Sequence, residues 1–266
     1  MSTTAAPALT VIEATGEDAA AIQSTVDAFR SALGDLNANE PVNNVGGRRQ
    51  INWDAAPDAI SDPNAFPGDF FNANVAPRAR GIEFQATGDT TGFLLSSTEA
   101  SGQPTAFGFP NDFPVFSEER LFSPVGGTTF DVLFFDPANP DQQATTTGLG
   151  VVFSGLDFDD TVSMSFFDID GNLLAEEFAS APESAVGLSF LGVVFDSPVV
   201  ASVSIAGGGR FLAGNGEFDG PEGDAFVMDD FIFGEPTPVS PVPLPAGAPM
   251  LVAALALAGM ITRRRA

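Results

Sequence analysis

Residues 128–168 read TTFDVLFFDPANPDQQATTTGLGVVFSGLDFDDTVSMSFFD, and this stretch decides the fold class. It holds runs of β-branched and aromatic residues, and in parts of these runs apolar and polar residues alternate. Gly, Pro, Asp and Asn separate one run from the next. Such runs are typical of short strands whose side chains alternate between two faces, and the residues between them are typical of tight turns. The stretch therefore predicts consecutive antiparallel strands rather than strands that alternate with helices.

The same pattern continues on both sides of this stretch. Seven further runs are GIEFQAT (81–87), GFLLSS (92–97), FPVFS (113–117), GNLLAEEFA (171–179), VGLSFLGVVF (186–195), VVASVSIAGG (199–208) and AFVMDDFIFG (225–234). Ten short segments over about 155 residues have the spacing of a β-sandwich or jelly roll. We predict an all-β protein with one β-sandwich domain over residues 40–234.

Residues 15–34 predict one N-terminal amphipathic helix. An apolar stripe recurs at helical spacing at Ile22, Val26, Phe29 and Leu33. Thr15 together with Asp18 predicts the start of the helix, and Gly34 predicts its end. We expect the apolar stripe to pack on the edge or the end of the sandwich.

The composition excludes several classes of function. The chain of 266 residues has 35 acidic side chains against ten basic ones, all Arg, and its formal net charge is −25. Such a charge repels phosphate backbones, so we expect no nucleic-acid partner. The sequence has no His, Cys, Lys or Tyr, which removes Ser-His-Asp and Cys-His nucleophiles, ordinary zinc sites and thiol redox chemistry. We predict that the protein is not an enzyme, although a hydrolase built on two carboxylates stays open.

The C-terminal tail has three parts in a fixed order. Residues 235–247 form a Pro-rich linker that contains the motif Val242, Pro243, Leu244, Pro245 and Ala246. Residues 248–266 contain an apolar run, predicted to be a hydrophobic helix, and then the cluster Arg263, Arg264 and Arg265. Counted from the motif, the apolar run has about 18 residues, which is the short limit of a membrane-spanning helix with its Arg cluster on the cytoplasmic side.

This tail resembles the VPLPA variant of the PEP-CTERM sorting signal, which exosortase-type membrane proteases of Gram-negative bacteria process. The resemblance implies a precursor held transiently in the inner membrane. Processing near the Pro motif would then transfer the body to the cell surface or the extracellular matrix. A plain C-terminal membrane anchor is the alternative.

The body resembles, less specifically, other β-rich proteins that carry this tail. The resemblance lies in GRRQINWDAAPD (47–58), LSFLGVVFDSPVVASVSI (188–205) and MDDFIFGEP (228–236). It implies a sandwich like those of lectins or carbohydrate-binding modules, but it implies no particular binding site. Residues 1–14 lack the basic and apolar regions of a signal peptide. If the protein is exported, we expect such a segment upstream of Met1, and an unusual export route is the alternative.

Two groups of residues are candidate binding sites. Calcium, the one candidate cofactor, would be held by the carboxylates of Asp219, Glu222, Asp224, Asp229 and Asp230, because calcium accepts many oxygen ligands from irregular loops. A solvated acidic face is the alternative. Trp53, with Asn52 and Asp54 beside it, could form a platform on which a sugar ring stacks, and core packing is the alternative.

These observations predict an adhesive or scaffolding protein of the cell surface or extracellular matrix. Its expected partners are the sorting protease and exopolysaccharide or other envelope components. The alternative is a lectin-like carbohydrate-binding module, with or without a dependence on calcium.

Overall fold

The computed structural model describes residues 7–97, 106–184, 186–213 and 216–239. Within these ranges the chain forms one α-helix, α1 (Ala19–Leu33), two short 3-10 helices (Asp58–Ile60 and Ala106–Gly108) and sixteen strands. The strands are β1 (Leu9–Gly16), β2 (Arg48–Ile51), β3 (Ile82–Ala86), β4 (Gly92–Leu95), β5 (Phe122–Val125), β6 (Phe130–Asp136), β7 (Asn139–Thr145), β8 (Gly148–Ser154), β9 (Val162–Phe167), β10 (Leu173–Phe178), β11 (Leu188–Phe195), β12 (Ser202–Gly207), β13 (Phe211–Leu212), β14 (Phe218–Asp219), β15 (Val227–Gly234) and β16 (Thr237–Pro238).

The strands form two sheets that pack face to face. The larger sheet has the order β1-β11-β8-β15-β5-β13-β14, with β2 also paired to β15 and β4 to β5. The smaller sheet has the order β10-β9-β12-β6-β7-β16, with β3 also paired to β6. The predicted all-β class and β-sandwich architecture are confirmed.

A Phe-rich core fills the space between the sheets. In β6 the buried positions alternate, so Phe130, Val132 and Phe134 point into the core while the residues between them do not. β8 and β15 are instead buried along their whole length. They face the core on one side, and on the other side they are covered by α1 and by a smaller apolar cluster.

The helix packs on the outer face of the larger sheet. All four residues of its predicted apolar stripe are buried there, and Gly34 ends the helix at a φ of 100°, as predicted. The predicted start is wrong by four residues. Asp18 alone is the N-cap, since its carboxylate accepts a hydrogen bond of 3.0 Å from the backbone N–H of Ala21, and Thr15 belongs to β1.

Two glycines allow the helix to approach the sheet closely. Gly150 in β8 and Gly192 in β11 are paired across the ladder, and the ring of Phe29 lies over both. A Cβ atom would lie 2.7 Å from that ring at Gly150 and 2.5 Å from it at Gly192. Larger residues at either position would therefore push α1 away from the sheet.

The N-terminal segment is part of the sandwich, which corrects the predicted domain boundaries. The predicted domain begins at residue 40, but β1 pairs with β11 over eight residues and forms an edge of the larger sheet. The body also continues past residue 234, because β16 pairs with β7. Within the part of the chain that the structure describes, no helix is long and apolar enough to cross a membrane. The sorting motif and the predicted hydrophobic helix lie outside the described residues.

Candidate functional site

A β-bulge in β15 brings two carboxylates together. Asp229 and Asp230 both lie opposite one residue of β8, Val152, because the register of the ladder shifts there. On its other edge, β15 changes partner at the same place, from β5 at Met228 to β2 from Phe231 onward. Both carboxylates reach the hydroxyl of Ser117, whose Oγ lies 3.0 Å from Asp229 Oδ1 and 2.9 Å from Asp230 Oδ1.

The two aspartates have different partners. Asp229 accepts hydrogen bonds from the backbone N–H groups of Phe116 at 2.6 Å and Ser117 at 3.2 Å. Asp230 forms an ion pair of 2.9 Å with Arg30 of α1. A serine hydroxyl has one proton to donate, so it cannot donate to both carboxylates at once. Both contacts can be hydrogen bonds only if one of the two carboxyls is protonated and donates to the Ser117 oxygen.

Burial governs the ionisation of this pair. It raises the pKa of Asp229 well above the usual range, and the charge of Asp230 raises that pKa further. Burial also raises the pKa of Asp230, although the hydrogen bond from Ser117 and the charge of Arg30 oppose it. Nearby, burial raises the pKa of Asp54, although hydrogen bonds from the backbone N–H groups of Arg120 and Glu119 oppose this rise, and the charge of Asp230 adds a smaller increase. The site is therefore a buried acidic pair balanced by one guanidinium.

Trp53 supports the bulge from inside the core. Its indole N–H donates a hydrogen bond of 2.6 Å to the backbone carbonyl of Asp229. Its ring stacks on Phe122, with centroids 4.5 Å apart and planes within 2° of parallel, and the residue is 1% exposed. The predicted sugar-stacking platform is wrong, because no open ring face is left. Asn52 and Asp54 hydrogen-bond each other at 2.8 Å.

The five predicted calcium ligands are separated in the fold. Asp219 and Glu222 are exposed to solvent. Asp224 is buried and caps a turn, where it accepts hydrogen bonds from the backbone N–H of Asp157 at 2.9 Å and from the hydroxyl of Thr161. Asp229 and Asp230 are the only two of the five that the structure brings into one network, that of the bulge. Among the described residues, no group of three or more His, Cys, Asp or Glu side chains could hold a metal ion. A calcium site built from these five residues is therefore contradicted.

A second buried ion pair joins β2 to the residue that follows β15. Arg49 donates to Glu235 through Nε and Nη2, both at 2.7 Å, and both side chains are almost completely buried. Glu235 also accepts hydrogen bonds from the side chains of Asn37 at 2.9 Å and Asn44 at 3.2 Å. The two parallel bonds from Arg49 and the two amide bonds give both carboxylate oxygens of Glu235 hydrogen-bond partners. Without these partners, burial of the carboxylate would destabilise the fold.

Two other arginines line a cavity of about 230 Å³ next to Trp53. The guanidinium of Arg78 lies 4.3 Å from the ring centre of Phe70, and that of Arg80 lies 4.4 Å from the ring centre of Phe71. Within the described ranges, neither arginine forms an ion pair with a carboxylate. Burial, and then the charge of Arg49, lower the pKa of Arg80 to about 10.

No protein-family model matches the chain, and no curated protein matches its sequence. The candidate site therefore rests on geometry. Sequence reasoning did not find the arginine-lined cavity. The available signal was the pair of arginines in PRAR (77–80) next to two aromatic residues in DFF (69–71), within a chain that has few basic residues.

Proposed function

We propose that this protein is exported, processed at its C-terminal tail and retained at the cell surface or in the extracellular matrix, where it acts as an adhesive or scaffolding protein. The observation that carries the proposal is the three-part tail and its distance from the body. β16 ends at Pro238, and the sorting motif begins at Val242. Cleavage near the motif would therefore release the folded body with only a few residues of linker.

The body supports a binding role rather than catalysis. Its strongest carboxylate pair, Asp229 and Asp230, is buried and already bonded to Ser117, Arg30 and backbone groups. A glycosidase pair must instead flank an open substrate site. The excess of acidic residues also suits a protein that stays soluble among hydrated polymers.

The proposed partners follow from this role. An exosortase-type protease would process the precursor while its tail lies transiently in the inner membrane. Exopolysaccharide or other envelope components would then bind the released body. No nucleic-acid partner is proposed, because the charge of the chain opposes one.

Intact-mass spectrometry of fractions from the native host tests the proposal. We expect a surface or extracellular species whose C-terminus lies between residues 242 and 246. Substitution of Pro243 and Pro245 by Ala should leave the tail intact and hold the protein in the inner membrane. Pro241→Ala, which removes a neighbouring proline outside the motif, is the matched control and should not change processing. A full-length tail in the inner-membrane fraction of the unaltered protein would support a plain anchor instead.

A further inference from the structure

We propose that the cavity between Arg78 and Arg80 binds the carboxylate of an acidic sugar, such as a uronate residue of a polysaccharide. The choice of a polysaccharide rests on the proposed function. Recognition of a carboxylate rests on the cavity alone. Trp53 and Asn52 of the predicted platform also line this cavity, but Trp53 is 1% exposed and offers no open ring face for a sugar to stack on.

The first argument is the missing counter-charge. The chain has 35 acidic residues, yet neither Arg78 nor Arg80 pairs with one within the described residues. Arg80 lies beside a second cation, Arg49, and is largely removed from water, which lowers its pKa. A partly buried cation without a partner is costly. A bound carboxylate would supply the missing opposite charge at short range, against a long-range repulsion by the net charge of −25 that salt screens.

The second argument is the set of free donors. Arg80 uses Nε on the carbonyl of Pro77 at 3.3 Å and Nη1 on the carbonyl of Gln50 at 2.7 Å. Arg78 uses Nε on the carbonyl of Phe70 at 2.8 Å. Both Nη atoms of Arg78 and Nη2 of Arg80 make no hydrogen bond to the described part of the chain. These are the guanidinium atoms that bind carboxylates in a fork.

The third argument is orientation. Each guanidinium is held by a backbone carbonyl and by an aromatic face, that of Phe70 for Arg78 and that of Phe71 for Arg80. Cation–π contacts and hydrogen bonds fix the two arginines before a ligand arrives. A pre-oriented site loses less side-chain entropy on binding.

The fourth argument concerns the rest of the cavity wall. It is formed mainly by apolar groups, including Pro77, Ala55 and Ala56, with the amide of Asn52 as a polar group. This combination suits a ring with an apolar face, hydroxyls at its edge and one carboxylate. A volume of about 230 Å³ is small for a ligand pocket and has room for one sugar ring.

Calorimetric titration of the full 266-residue chain tests the proposal. The probes are trigalacturonate, its neutral methyl ester and a triaspartate peptide. We expect trigalacturonate to bind at least about tenfold more tightly than either of the others, since charge-assisted hydrogen bonds carry an effect of this size. Equal binding of the ester would overturn carboxylate recognition. Equal binding of the peptide would overturn the assignment to sugars, and so would no binding of trigalacturonate.

Variants locate the site. Arg78→Gln and Arg80→Gln should each weaken the binding of trigalacturonate by about tenfold or more. Arg78→Lys keeps the charge but loses the fork and should also weaken binding. Arg210→Gln removes an equal charge from an exposed position that does not line this cavity, and it should leave binding unchanged. If Arg210→Gln weakens binding as much as Arg78→Gln, general charge is responsible and the proposal fails.

Circular dichroism checks that each variant is folded. If Arg80→Gln does not fold, Arg78→Gln alone tests whether the arginines of the cavity bind trigalacturonate. This experiment is independent of tail processing. A clipped tail without trigalacturonate binding contradicts this site alone. Binding together with an unprocessed tail contradicts the sorting proposal alone.

Discussion

Glu235→Gln should destabilise the protein by about 3–5 kcal/mol, because it leaves the buried guanidinium of Arg49 without a counter-charge. The size follows from the structure. Arg49 is 0% exposed and Glu235 is 4% exposed, and the pair shares two hydrogen bonds of 2.7 Å. The glutamine amide also places N–H donors against the donors of Arg49, Asn37 and Asn44. The loss is a large part of the roughly 5–15 kcal/mol that stabilises a typical domain.

Urea denaturation of the full chain measures this free energy of unfolding. Trp53 is the only tryptophan and stacks on Phe122 in the core, so its fluorescence reports the loss of the fold. Asp27→Asn is the matched control, since Asp27 forms an exposed ion pair with Arg30 and should cost less than about 1 kcal/mol. If Glu235→Gln costs no more than this control, the assignment of a buried, fully bonded ion pair is refuted.

Three further predictions use the same assay. Because burial raises the pKa of Asp229, its carboxyl stabilises the fold while it is protonated, and that contribution is lost as pH rises through the raised pKa. Asp229→Asn cannot ionise, so its stability relative to the unaltered protein should increase as pH rises from about 4, the usual pKa of an aspartate, through the raised pKa of Asp229, and parallel curves would argue against a raised pKa. Gly192→Ala should cost about 1–3 kcal/mol because its Cβ meets the ring of Phe29, whereas Gly92→Ala, with no atom within 4 Å, should cost little; equal costs would contradict the close approach of α1. Deletion of residues 1–16 should lower the urea midpoint and increase light scattering, because it exposes the edge of β11, and an unchanged midpoint would exclude β1 from the stable fold.

The fold class could be predicted because its signals are local. Strand alternation and turn residues occur within a few positions of each other, and so do the four apolar residues of α1. β1 was missed because it is a half-exposed edge strand, in which no residue is fully buried and the apolar pattern is weak. The start of α1 was misplaced because Thr15 and Asp18 are both good caps, and the pairing of β1 with β11 decided between them.

The environments of the site residues could not be predicted because they depend on distant parts of the chain. The indole N–H of Trp53 donates to the carbonyl of Asp229, which lies 176 positions away in the chain. Arg49 finds its carboxylate 186 positions away. Neither contact leaves a trace in the spacing of nearby residues. The acidic residues between positions 219 and 230 lie close together in the sequence. In the fold, the bulge places Asp229 and Asp230 in one hydrogen-bond network, and Asp224 caps a turn in another.

The ion pair of Arg49 and Glu235 also has a mechanical consequence. A force applied to the C-terminal end of the body would first peel the two-residue strand β16 from β7, which needs few bonds to break. The pull would then reach Glu235, at the end of a strand that is bonded to β8 on one side and to β2 on the other. At that point the ladder hydrogen bonds of β15 to β8 and β2 and the ion pair to Arg49 would all resist the pull. The molecule is therefore built to yield by a short length at its tail and then to resist extension.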